Sequence, residues 1–249
     1  MKELLSCALD IGEQMLLCGA EVHRVEETVK RMCQSFGATR VDVFIITSTM
    51  ITTVYDQNHM PFTQTRRITG TGTDIERLHR LNALSRRICS QEMTREEIHR
   101  EFDEILKTKS YPFWLECLSC ALIAGAFTLF FGGNLAEAGI SCLIGALIKL
   151  VLRFTEFALM NGIFAKFLCT FLASCLSFGA MKLGLIGSID MVMIGNIMSL
   201  IPGIGLTAAM RDLFTGDSIA GLLRTFEAVM LALAMAAGYF LFTCTLGGL

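Results

Sequence analysis

The chain has 249 residues, of which 53% are hydrophobic and 18% are charged, and its formal net charge is -2. This composition is too apolar for an ordinary soluble globular protein, and the balanced charge argues against a nucleic-acid partner. Residues 1–112 contain 15 of the 21 Lys and Arg and 16 of the 23 Asp and Glu. We therefore expect a charged domain at residues 1–110 and a membrane domain at residues 111–249.

The first residues and the cysteines indicate a chain that begins in a reducing compartment. Acidic residues interrupt the first hydrophobic run and no small-residue cleavage site follows, so we expect no signal peptide. Ten cysteines without regular spacing are typical of reduced thiols rather than of a disulfide framework. Cys117 and Cys120 have no second pair that would complete a metal site. We expect neither a metal nor a cofactor.

The first domain is predicted to be α+β. Apolar residues recur at helical spacing on both sides of Gly19, which predicts two helices that meet there. Segments rich in β-branched and aromatic residues predict a small antiparallel sheet. These segments are 40–47, 50–55 and 62–68, with a turn at 56–58. Helical spacing returns at 74–90, and Thr94 to Glu97 is a capping-box pattern that opens a last helix.

The densest charged cluster of this domain is EVHRVEE at residues 21–27, with Glu21 as its first residue. Helical spacing places His23 and Arg24 off the apolar stripe and Glu26 at its edge. A histidine near carboxylates can perform acid-base chemistry, although no spacing here specifies a nucleophile or a metal. A solvated helix face is the favoured interpretation. The alternative is a membrane-anchored enzyme whose active site lies on this cytoplasmic domain.

The second domain contains five hydrophobic segments, each about long enough to cross a bilayer core of roughly 30 Å. They lie at about 113–133, 136–152, 162–181, 189–210 and 226–246. Their charged residues lie near segment ends, where long side chains can reach the headgroups. The predicted fold is an α-helical membrane bundle of five spanning helices preceded by a small α+β cytoplasmic domain.

The basic residues of this half predict its orientation. If residues 1–112 are cytoplasmic, five crossings place five of its six Lys and Arg on the cytoplasmic side, namely Lys149, Arg153, Lys166, Arg211 and Arg224, and Lys182 outside. This distribution supports a cytoplasmic N-terminus and an external C-terminus in a plasma (bacterial inner) membrane. An odd number of spans is typical of one half of an inverted repeat, so we expect a second membrane unit or self-assembly to complete a pathway.

The fourth hydrophobic segment is interrupted by Pro202-Gly203. Proline donates no hydrogen bond, so in a helix it leaves one carbonyl without its partner, which a membrane tolerates beside protein or a wet cavity. Asn196, Ser199, Gly203 and Thr207 share the polar face of this helix. The half-helix that begins after Pro202 has N–H groups and a positive dipole end that can hold a carboxylate. The structural alternative is a proline kink at which Asn196 and Ser199 pack against a neighbouring helix.

These features predict a substrate site and a coupling group. The expected substrate-binding residues are Asn196, Ser199, Pro202, Gly203 and Arg211, with Arg211 at the cytoplasmic entrance, where the alternative makes it a positive-inside anchor. The expected coupling or gating residues are Asp212, Asp217, Arg224 and Glu227. We expect a turn at 215–217, a helix from Ser218 capped by Asp217, and a pair between Arg224 and Glu227. Asp212 or Glu227 is the candidate carrier of a coupling proton.

Four stretches of the sequence resemble the threonine/serine exporter family, in the form of its larger subunit. They are GAEVHRVEETVKRM, VDVFIITSTMI, LHRLNALSRRI and IPGIGLTAAMRDLFTGDSIAGLLRTFEA. The resemblance covers nearly the whole chain and implies a plasma-membrane exporter of small metabolites, with a second membrane unit that is fused in some members and separate in others. Because the chain ends without the fused unit, it resembles the split form, for which a dicarboxylate stands beside threonine or serine as the implied cargo.

The expected function is export of a small carboxylate metabolite by a membrane transporter subunit. The absence of a nucleotide-binding motif favours coupling to an ion gradient. The expected partners are a second small membrane subunit of the same family or further copies of this chain, the small-molecule carboxylate, and the lipid bilayer. A third interpretation, besides the exporter and the membrane-anchored enzyme, is a structural or regulatory subunit whose partner holds the transport site.

Overall fold

The computed structural model describes residues 2–70, 72–91, 93–108 and 111–246. The chain forms two compact units. The first consists of Met1–Lys109 and Ile204–Thr225, and the second consists of Ser110–Gly203 and Phe226–Leu249. The linear division after residue 110 remains a prediction. Residues 247–249, on which the predicted external C-terminus falls, lie outside the described residues.

The first unit begins with the helices and strands that the sequence predicts. Its helices are α1 (Lys2–Leu17), α2 (Val22–Ser35), α3 (Ile75–Ser90) and α4 (Arg95–Leu106), and its strands are β1 (Arg40–Ile46), β2 (Thr49–Tyr55) and β3 (Pro61–Arg67). Gly19, between α1 and α2, has a φ of 90°, a conformation that glycine adopts without a steric penalty. The predicted helices and the three-stranded sheet are confirmed.

The sheet is antiparallel, with the strand order β1-β2-β3. Val43 lies opposite Thr52, and Thr52 lies opposite Gln64. Helix α2 packs against β1, and α1 packs against β2 and β3. Apolar side chains fill the space between the helices and the sheet, and they include Leu5, Met15, Val25, Met32, Met50 and Val54. Alternate residues of β2 are buried, because successive side chains of a strand point to opposite faces.

Local polar contacts hold the elements of this unit in place. Thr94 Oγ1 accepts from the Glu97 N–H and Glu97 Oε2 accepts from the Thr94 N–H, so the predicted capping box opens α4. Arg66 of β3 donates from Nε and Nη2 to Asp10 Oδ1 of α1, each at 3.0 Å. The capping box satisfies backbone donors that a helix start leaves unpaired. The Arg66–Asp10 contact holds β3 against α1.

The first unit also contains residues from later in the chain. Helix α9 (Gly203–Thr215) belongs to it from Ile204 on, and so does the start of α10 (Ser218–Thr245) as far as Thr225. The two helices are joined through Gly216, whose φ is 100°, and the Asp217 N–H donates to the Asp212 carbonyl at 3.0 Å. The predicted turn is confirmed at Gly216 and Asp217, whereas Thr215 is still part of α9, and the predicted helix start at Ser218 is confirmed. Ala220 of α10 is part of the same apolar core as α1 and α2.

The second unit is made of long apolar helices. They are α5 (Phe113–Phe130), α6 (Leu135–Phe157), α7 (Gly162–Lys182) and α8 (Ile189–Leu200), together with the rest of α10. In the described part of the chain, α5, α6, α7 and α10 are each long and apolar enough to cross a membrane, and α8 with α9 passes the same test as a bent pair. The structure thus contains four or five candidate spans, and the count of five remains a prediction.

Two helices extend past the ends of the segments predicted from hydrophobicity. Helix α6 ends at Phe157 rather than at 152, and α9 ends at Thr215 rather than at 210. Hydrophobicity underestimates both lengths because Arg153, Glu156 and Arg211 are good helix formers although they are polar. Both helices therefore continue beyond their hydrophobic segments.

Glycines allow α5, α6 and α8 to approach closely. A Cβ added to Gly195 of α8 would lie 2.1 Å from Thr128 Oγ1 and 2.7 Å from the Ala124 carbonyl oxygen, both in α5. A Cβ added to Gly145 of α6 would lie 2.8 Å from the Cys120 carbonyl oxygen of α5. Small residues at such contacts are typical of helices that associate in a membrane, where apolar side chains gain little by leaving lipid.

Candidate functional site

The predicted break after α8 is present in the structure. Helix α8 ends at Leu200, Ile201 is extended with a φ of -68° and a ψ of 129°, and α9 begins at Gly203. The ring of Pro202 disfavours a helical conformation for the residue before it, which explains the extended Ile201. Pro202 itself is half-buried and Gly203 is exposed. The break is therefore caused locally by the Ile201-Pro202 sequence.

Asn196 lies in the interior of the second unit. Its side chain is fully buried, and its Nδ2 donates to Ser141 Oγ of α6 at 2.9 Å and to the Val192 carbonyl at 2.8 Å. Its Oδ1 has no hydrogen-bond partner among the described residues. The Ser199 hydroxyl, half-buried, donates to the Asn196 carbonyl at 2.7 Å. Asn196 thus combines a helix-packing contact with a buried acceptor that remains open.

Arg211 contacts the charged cluster at residues 21–27 within the first unit. Its guanidinium forms an ion pair with Glu21, which lies 190 positions earlier and immediately precedes α2. Arg24 Nε lies 3.7 Å from the other Glu21 carboxylate oxygen. Arg211, which we predicted at the substrate entrance, and Arg24, which belongs to the charged cluster at residues 21–27, therefore share the Glu21 carboxylate.

A pocket of about 230 Å³ lies beside this cluster. Its lining residues come from α1, the α1–α2 corner, α2, α3 and α9, and they are Met15, Gly19, Ala20, Glu21, Arg24, Ile75, Leu78, Asn82, Ile204, Thr207, Ala208 and Arg211. All of them belong to the first unit. A pocket that is mostly apolar, with a few convergent polar groups, is the usual form of a small-molecule site.

The other two predicted residues of the charged cluster, His23 and Glu26, do not line this pocket. His23 is exposed, as a solvated helix face predicts. Glu26 is half-buried, and its Oε1 accepts from the Ile45 N–H of β1 at 3.0 Å. Burial raises the pKa of the Glu26 carboxyl and the Asp217 carboxylate raises it further, whereas the Ile45 N–H and His23 lower it. The four residues Glu21, His23, Arg24 and Glu26 do not converge on one catalytic centre.

Arg224 has different partners from the one that we predicted. Its Nη1 lies 3.0 Å from Asp212 Oδ2, and its Nη2 donates to the Ala20 carbonyl at 3.0 Å. Asp212 is 1% exposed and the Arg224 side chain is 11% exposed. Among the ion pairs of the described residues, Arg224 therefore pairs with Asp212 and not with Glu227. The helical spacing of Arg224 and Glu227 is correct, but a buried carboxylate competes better for the guanidinium than an exposed one.

Asp217 occupies the position before α10 that we predicted for a cap. Its carbonyl accepts from the Gly221 N–H at 2.9 Å, which is the first turn of the helix. Its Oδ2 is buried without a hydrogen-bond partner among the described residues. Glu227 is exposed on α10. Of the predicted coupling residues, Asp212 and Asp217 thus lie close together along the chain with buried carboxylate oxygens, and Glu227 does not share this environment.

Several contacts at these sites were not predicted. Ser141 provides the interhelical acceptor for Asn196, and the Ala20 carbonyl accepts from Arg224. Glu137, 4% exposed, accepts from the Ser188 N–H with Oε1 and from the Asn134 N–H with Oε2. The capping-box spacing of Asn134 and Glu137 was visible in the sequence. The other partners are far apart in sequence, and no local pattern indicates them.

One cysteine of the first unit lies beside a histidine. Cys7 Sγ lies 3.2 Å from His99 Nε2, a pair that the sequence analysis did not identify. Burial raises the pKa of the Cys7 thiol, so the thiolate that a nucleophilic cysteine needs is disfavoured. All ten cysteines have free thiols. No group of His, Cys, Asp and Glu in the described residues could hold a metal ion.

The long apolar helices, the glycine-mediated contacts and the helix broken at Pro202 together define a multi-pass membrane protein of the transporter class. The sequence model of the ThrE family, described as "Putative threonine/serine exporter", matches residues 6–246. The chain belongs to the threonine/serine exporter family, so the predicted family is confirmed, whereas the larger subunit of a split form remains a prediction.

Two curated relatives show the extent of the similarity. The chain is 24% identical over 245 residues to the "Probable threonine/serine exporter" of Mycobacterium tuberculosis, covering 95% of this chain and 45% of that protein. It is 22% identical over 250 residues to the "Threonine/serine exporter" of Corynebacterium glutamicum, covering 94% of this chain and 50% of that protein. The chain spans about half the length of the curated relatives it matches. Both names describe transporters rather than enzymes. No solved structure matches the chain significantly.

Proposed function

We propose that this chain is a subunit of an exporter for a small carboxylate metabolite in a plasma (bacterial inner) membrane. In this proposal the N-terminus and residues 1–110 are cytoplasmic, the chain crosses the membrane five times, with α8 and α9 together as the fourth span, and the C-terminus is outside. The family membership, the apolar helices of the second unit and the position of the basic residues support this arrangement. The cargo is threonine, serine or an organic acid such as a dicarboxylate.

The observation that carries the proposal is the open acceptor beside the broken helix. Asn196 Oδ1 is buried without a partner among the described residues, in a unit made of apolar helices. A buried polar atom without a partner costs about 1–3 kcal/mol, so such an atom is expected where a ligand completes its hydrogen bond. Asn196 and Ser199 precede the break at Pro202 and Gly203, and broken helices are where transporters place their sites. We assign substrate contact to these four residues.

We assign the entrance of the substrate and the ion coupling to the α9–α10 hairpin. Arg211, exposed in the first unit, attracts the carboxylate. Asp212, Asp217 and Glu227 are the candidate proton carriers, with Arg224 as the counter-charge of Asp212. Asp212, which is 1% exposed and paired with Arg224, is favoured over the exposed Glu227, because burial disfavours the charged form of a carboxyl group.

A second membrane unit completes the pathway in this proposal. The chain covers about half of each curated relative. A single set of four or five spans also leaves an inverted-repeat transporter incomplete. The partner is a second small membrane subunit of the same family or another copy of this chain.

Flux measurements in liposomes test the proposal. The chain is reconstituted with and without its partner, and counterflow of radiolabelled threonine, serine and succinate is measured with and without a pH gradient. At equal amounts of inserted protein, we expect Asn196→Ala and Ser199→Ala to reduce flux at least about tenfold, and Arg211→Lys to raise the apparent KM. Thr170→Ala is the control, because Thr170 is a buried hydroxyl on α7 that donates to the Lys166 carbonyl of its own helix. Unchanged flux in all three variants would move the substrate site into the partner.

A further inference from the structure

Charged side chains lie at one end of the second unit, where α5 and α7 begin and α6 ends. Lys149 Nζ of α6 lies 2.9 Å from Glu116 Oε2 of α5, so an ion pair joins these two helices. Lys166, near the start of α7, is half-buried. The helices that carry these residues are otherwise apolar enough to cross a membrane. The three charges therefore lie close to one surface of a bilayer that the helices cross.

Lys166 has no carboxylate as a partner in the part of the chain that the structure describes. Its electrostatic neighbours there are Lys149 and the thiols of Cys120 and Cys169, and Lys149 is itself paired with Glu116. A half-buried ammonium group without a counter-ion is unfavourable, because it loses hydration and gains no ion pair in return. An anion from outside the chain would therefore stabilise Lys166.

The other charges at this end balance each other. Lys149 faces Glu116, and Arg153 Nη1 of α6 lies 3.5 Å from Glu156 Oε2. Two cations thus face two carboxylates, and Lys166 is left as one excess positive charge. A ligand with one negative charge would neutralise this end of the helices.

Exposed aromatic side chains surround the same end. Tyr111 and Trp114, at the start of α5, are 72% and 65% exposed, and Phe157, the last residue of α6, is 87% exposed. Tyrosine and tryptophan are enriched where a spanning helix passes through the lipid headgroups. This placement puts Lys149 and Lys166 within reach of the phosphate groups of the surrounding lipids.

We infer that Lys149 and Lys166 hold the phosphate of an anionic phospholipid, with Lys166 as its main counter-charge. A phosphodiester carries one negative charge, which matches the one excess positive charge. An ammonium group has three N–H donors, so Lys149 can contact the phosphate and keep its pair with Glu116. Basic pockets between spanning helices are a known form of site for lipid headgroups. The inference goes beyond the proposed function, which concerns the cargo, and the proposed orientation places this lipid in the cytoplasmic leaflet.

Phosphatidylcholine is a poorer ligand for this place than phosphatidylglycerol. Both lipids have the same phosphodiester, but the choline group adds a positive charge beside Lys149 and Lys166, and like charges repel. The glycerol headgroup ends in hydroxyls and adds no charge. One unpaired lysine at a membrane surface is expected to favour phosphatidylglycerol about fivefold.

The tryptophan at this end provides the measurement. Trp114 is the only tryptophan of the sequence and precedes Glu116 by two positions. The purified chain is reconstituted into vesicles of phosphatidylcholine and phosphatidylglycerol in which only one of the two lipids carries brominated acyl chains. Because bromine quenches tryptophan fluorescence at short range, the two degrees of quenching give the relative affinity of the lipids. We expect phosphatidylglycerol to bind about fivefold more tightly.

Matched variants assign the preference to Lys166. Lys166→Gln is expected to lower the affinity ratio from about fivefold to about one, and Lys166→Arg is expected to retain it. The control is Lys182→Gln at the opposite end of α7, where Lys182 Nζ lies 5.1 Å from the centre of the Phe178 ring. This variant is expected to behave as the wild type. Lys166→Met, which keeps most of the apolar stem, provides the same comparison if Lys166→Gln is poorly folded.

Three results would overturn the inference. They are equal affinity of the wild type for the two lipids, an unchanged preference in Lys166→Gln, and an equal loss in Lys182→Gln and Lys166→Gln. Loss of the preference on addition of millimolar inorganic phosphate would also overturn it, by assigning the lysines to a soluble phosphate. Flux in liposomes is a separate measurement. Absence of flux with the lipid preference intact would count against the exporter proposal alone, and normal flux without any lipid preference would count against the lipid site alone.

Discussion

Asp212 and Arg224 are buried charged residues, and their burial determines how each affects the stability of the fold. Each is removed from water, and each is the partner of the other at 3.0 Å. Their contact lacks the alignment of a hydrogen bond, since neither Asp212 oxygen has a hydrogen-bond partner among the described residues. Such a pair adds little to the free energy of unfolding compared with apolar residues of similar size. Removing one partner is nevertheless costly, because it leaves an uncompensated buried charge.

We expect Arg224→Ala to reduce the free energy of unfolding by about 3 kcal/mol, because it leaves the Asp212 carboxylate buried alone. The double variant Asp212→Leu with Arg224→Met is expected to recover most of this loss. Thermal unfolding in detergent measures both effects, and Arg31→Ala, which removes an exposed pair, is the control with an expected loss below about 1 kcal/mol. Equal losses in Arg224→Ala and Arg31→Ala would show that the pair is solvated.

The pH dependence of stability at Glu26 has a definite sign. Because burial raises its pKa in the folded state, the contribution of Glu26 to stability is fully present below the unfolded pKa of about 4.3 and is lost as the pH rises through the folded pKa. Glu26→Gln removes this loss and keeps an acceptor for the Ile45 N–H. The variant is therefore expected to unfold at a higher temperature than the wild type at pH 7.5 and at nearly the same temperature at pH 4.

The control for this measurement is Glu27→Gln on the exposed side of the same helix, which is expected to show a small effect without this pH dependence. A difference between Glu26→Gln and the wild type that is the same at pH 4 and pH 7.5 would exclude titration of Glu26 as the cause.

At the scale of elements, the contact between α5 and α8 depends on a single glycine. Any side chain at position 195 would collide with the backbone of α5, which is itself held by the intrahelical hydrogen bonds around Thr128. We expect Gly195→Ala to cost about 1–3 kcal/mol, the range for overpacked cores. Gly179→Ala in α7 is the matched control, because no atom lies within 4 Å of the added Cβ and alanine favours a helix by up to about 1 kcal/mol. Unfolding of both variants in the same detergent tests this, and equal stability would contradict the close approach of α5 and α8.

The sequence was sufficient to predict the structural elements that depend on neighbouring residues. Pro202 ends α8 through its effect on the preceding residue, Thr94 and Glu97 cap α4 through each other, and Gly216 allows the turn before α10. Hydropathy likewise located the apolar helices, although α6 and α9 continue beyond them. These features depend on residues within one or two turns of each other, which is the range that a pattern can represent.

The candidate sites could be predicted only in part, because their partners lie far apart in the chain. Glu21 and Arg211 are separated by 190 positions, and Ala20 and Arg224 by 204. Chemistry alone selected most of these residues from the sequence, but helical spacing paired Arg224 with Glu227, whereas Arg224 contacts Asp212. Asn196 was selected for its place before the proline, whereas its bond to Ser141 depends on the packing of α6 against α8.

For the whole molecule, the number of membrane crossings determines on which side the two ends lie. Within the described ranges, four helices qualify as single spans, and α8 with α9 qualifies as a fifth. A reporter fused after Leu249 is expected to be active only outside the cytoplasm, because five crossings place the ends on opposite sides. Four crossings would place them on the same side.

Cysteine labelling provides an independent measurement of the same count. Cys89 in the first unit and Cys244 in α10 are both exposed. In variants that keep one of the two and no other cysteine, a membrane-impermeant maleimide is expected to label Cys244 in intact spheroplasts and Cys89 only in inverted vesicles. Labelling of both from one side would mean that α8 and α9 do not cross the membrane together.

The first unit is discontinuous in sequence, and this affects the order in which the protein can be made. Its core includes Ala220, and the Ala20 carbonyl receives its hydrogen bond from Arg224. A ribosome that adds roughly 5–20 residues per second needs about 6–23 s to proceed from residue 109 to residue 225. During this interval the nascent first unit lacks the Ala220 side chain of its core, and the Ala20 carbonyl lacks its donor Arg224. The first unit can be completed only after α5 to α8 have been synthesised. A completely folded first unit therefore shows that the ribosome has already synthesised the intervening helices.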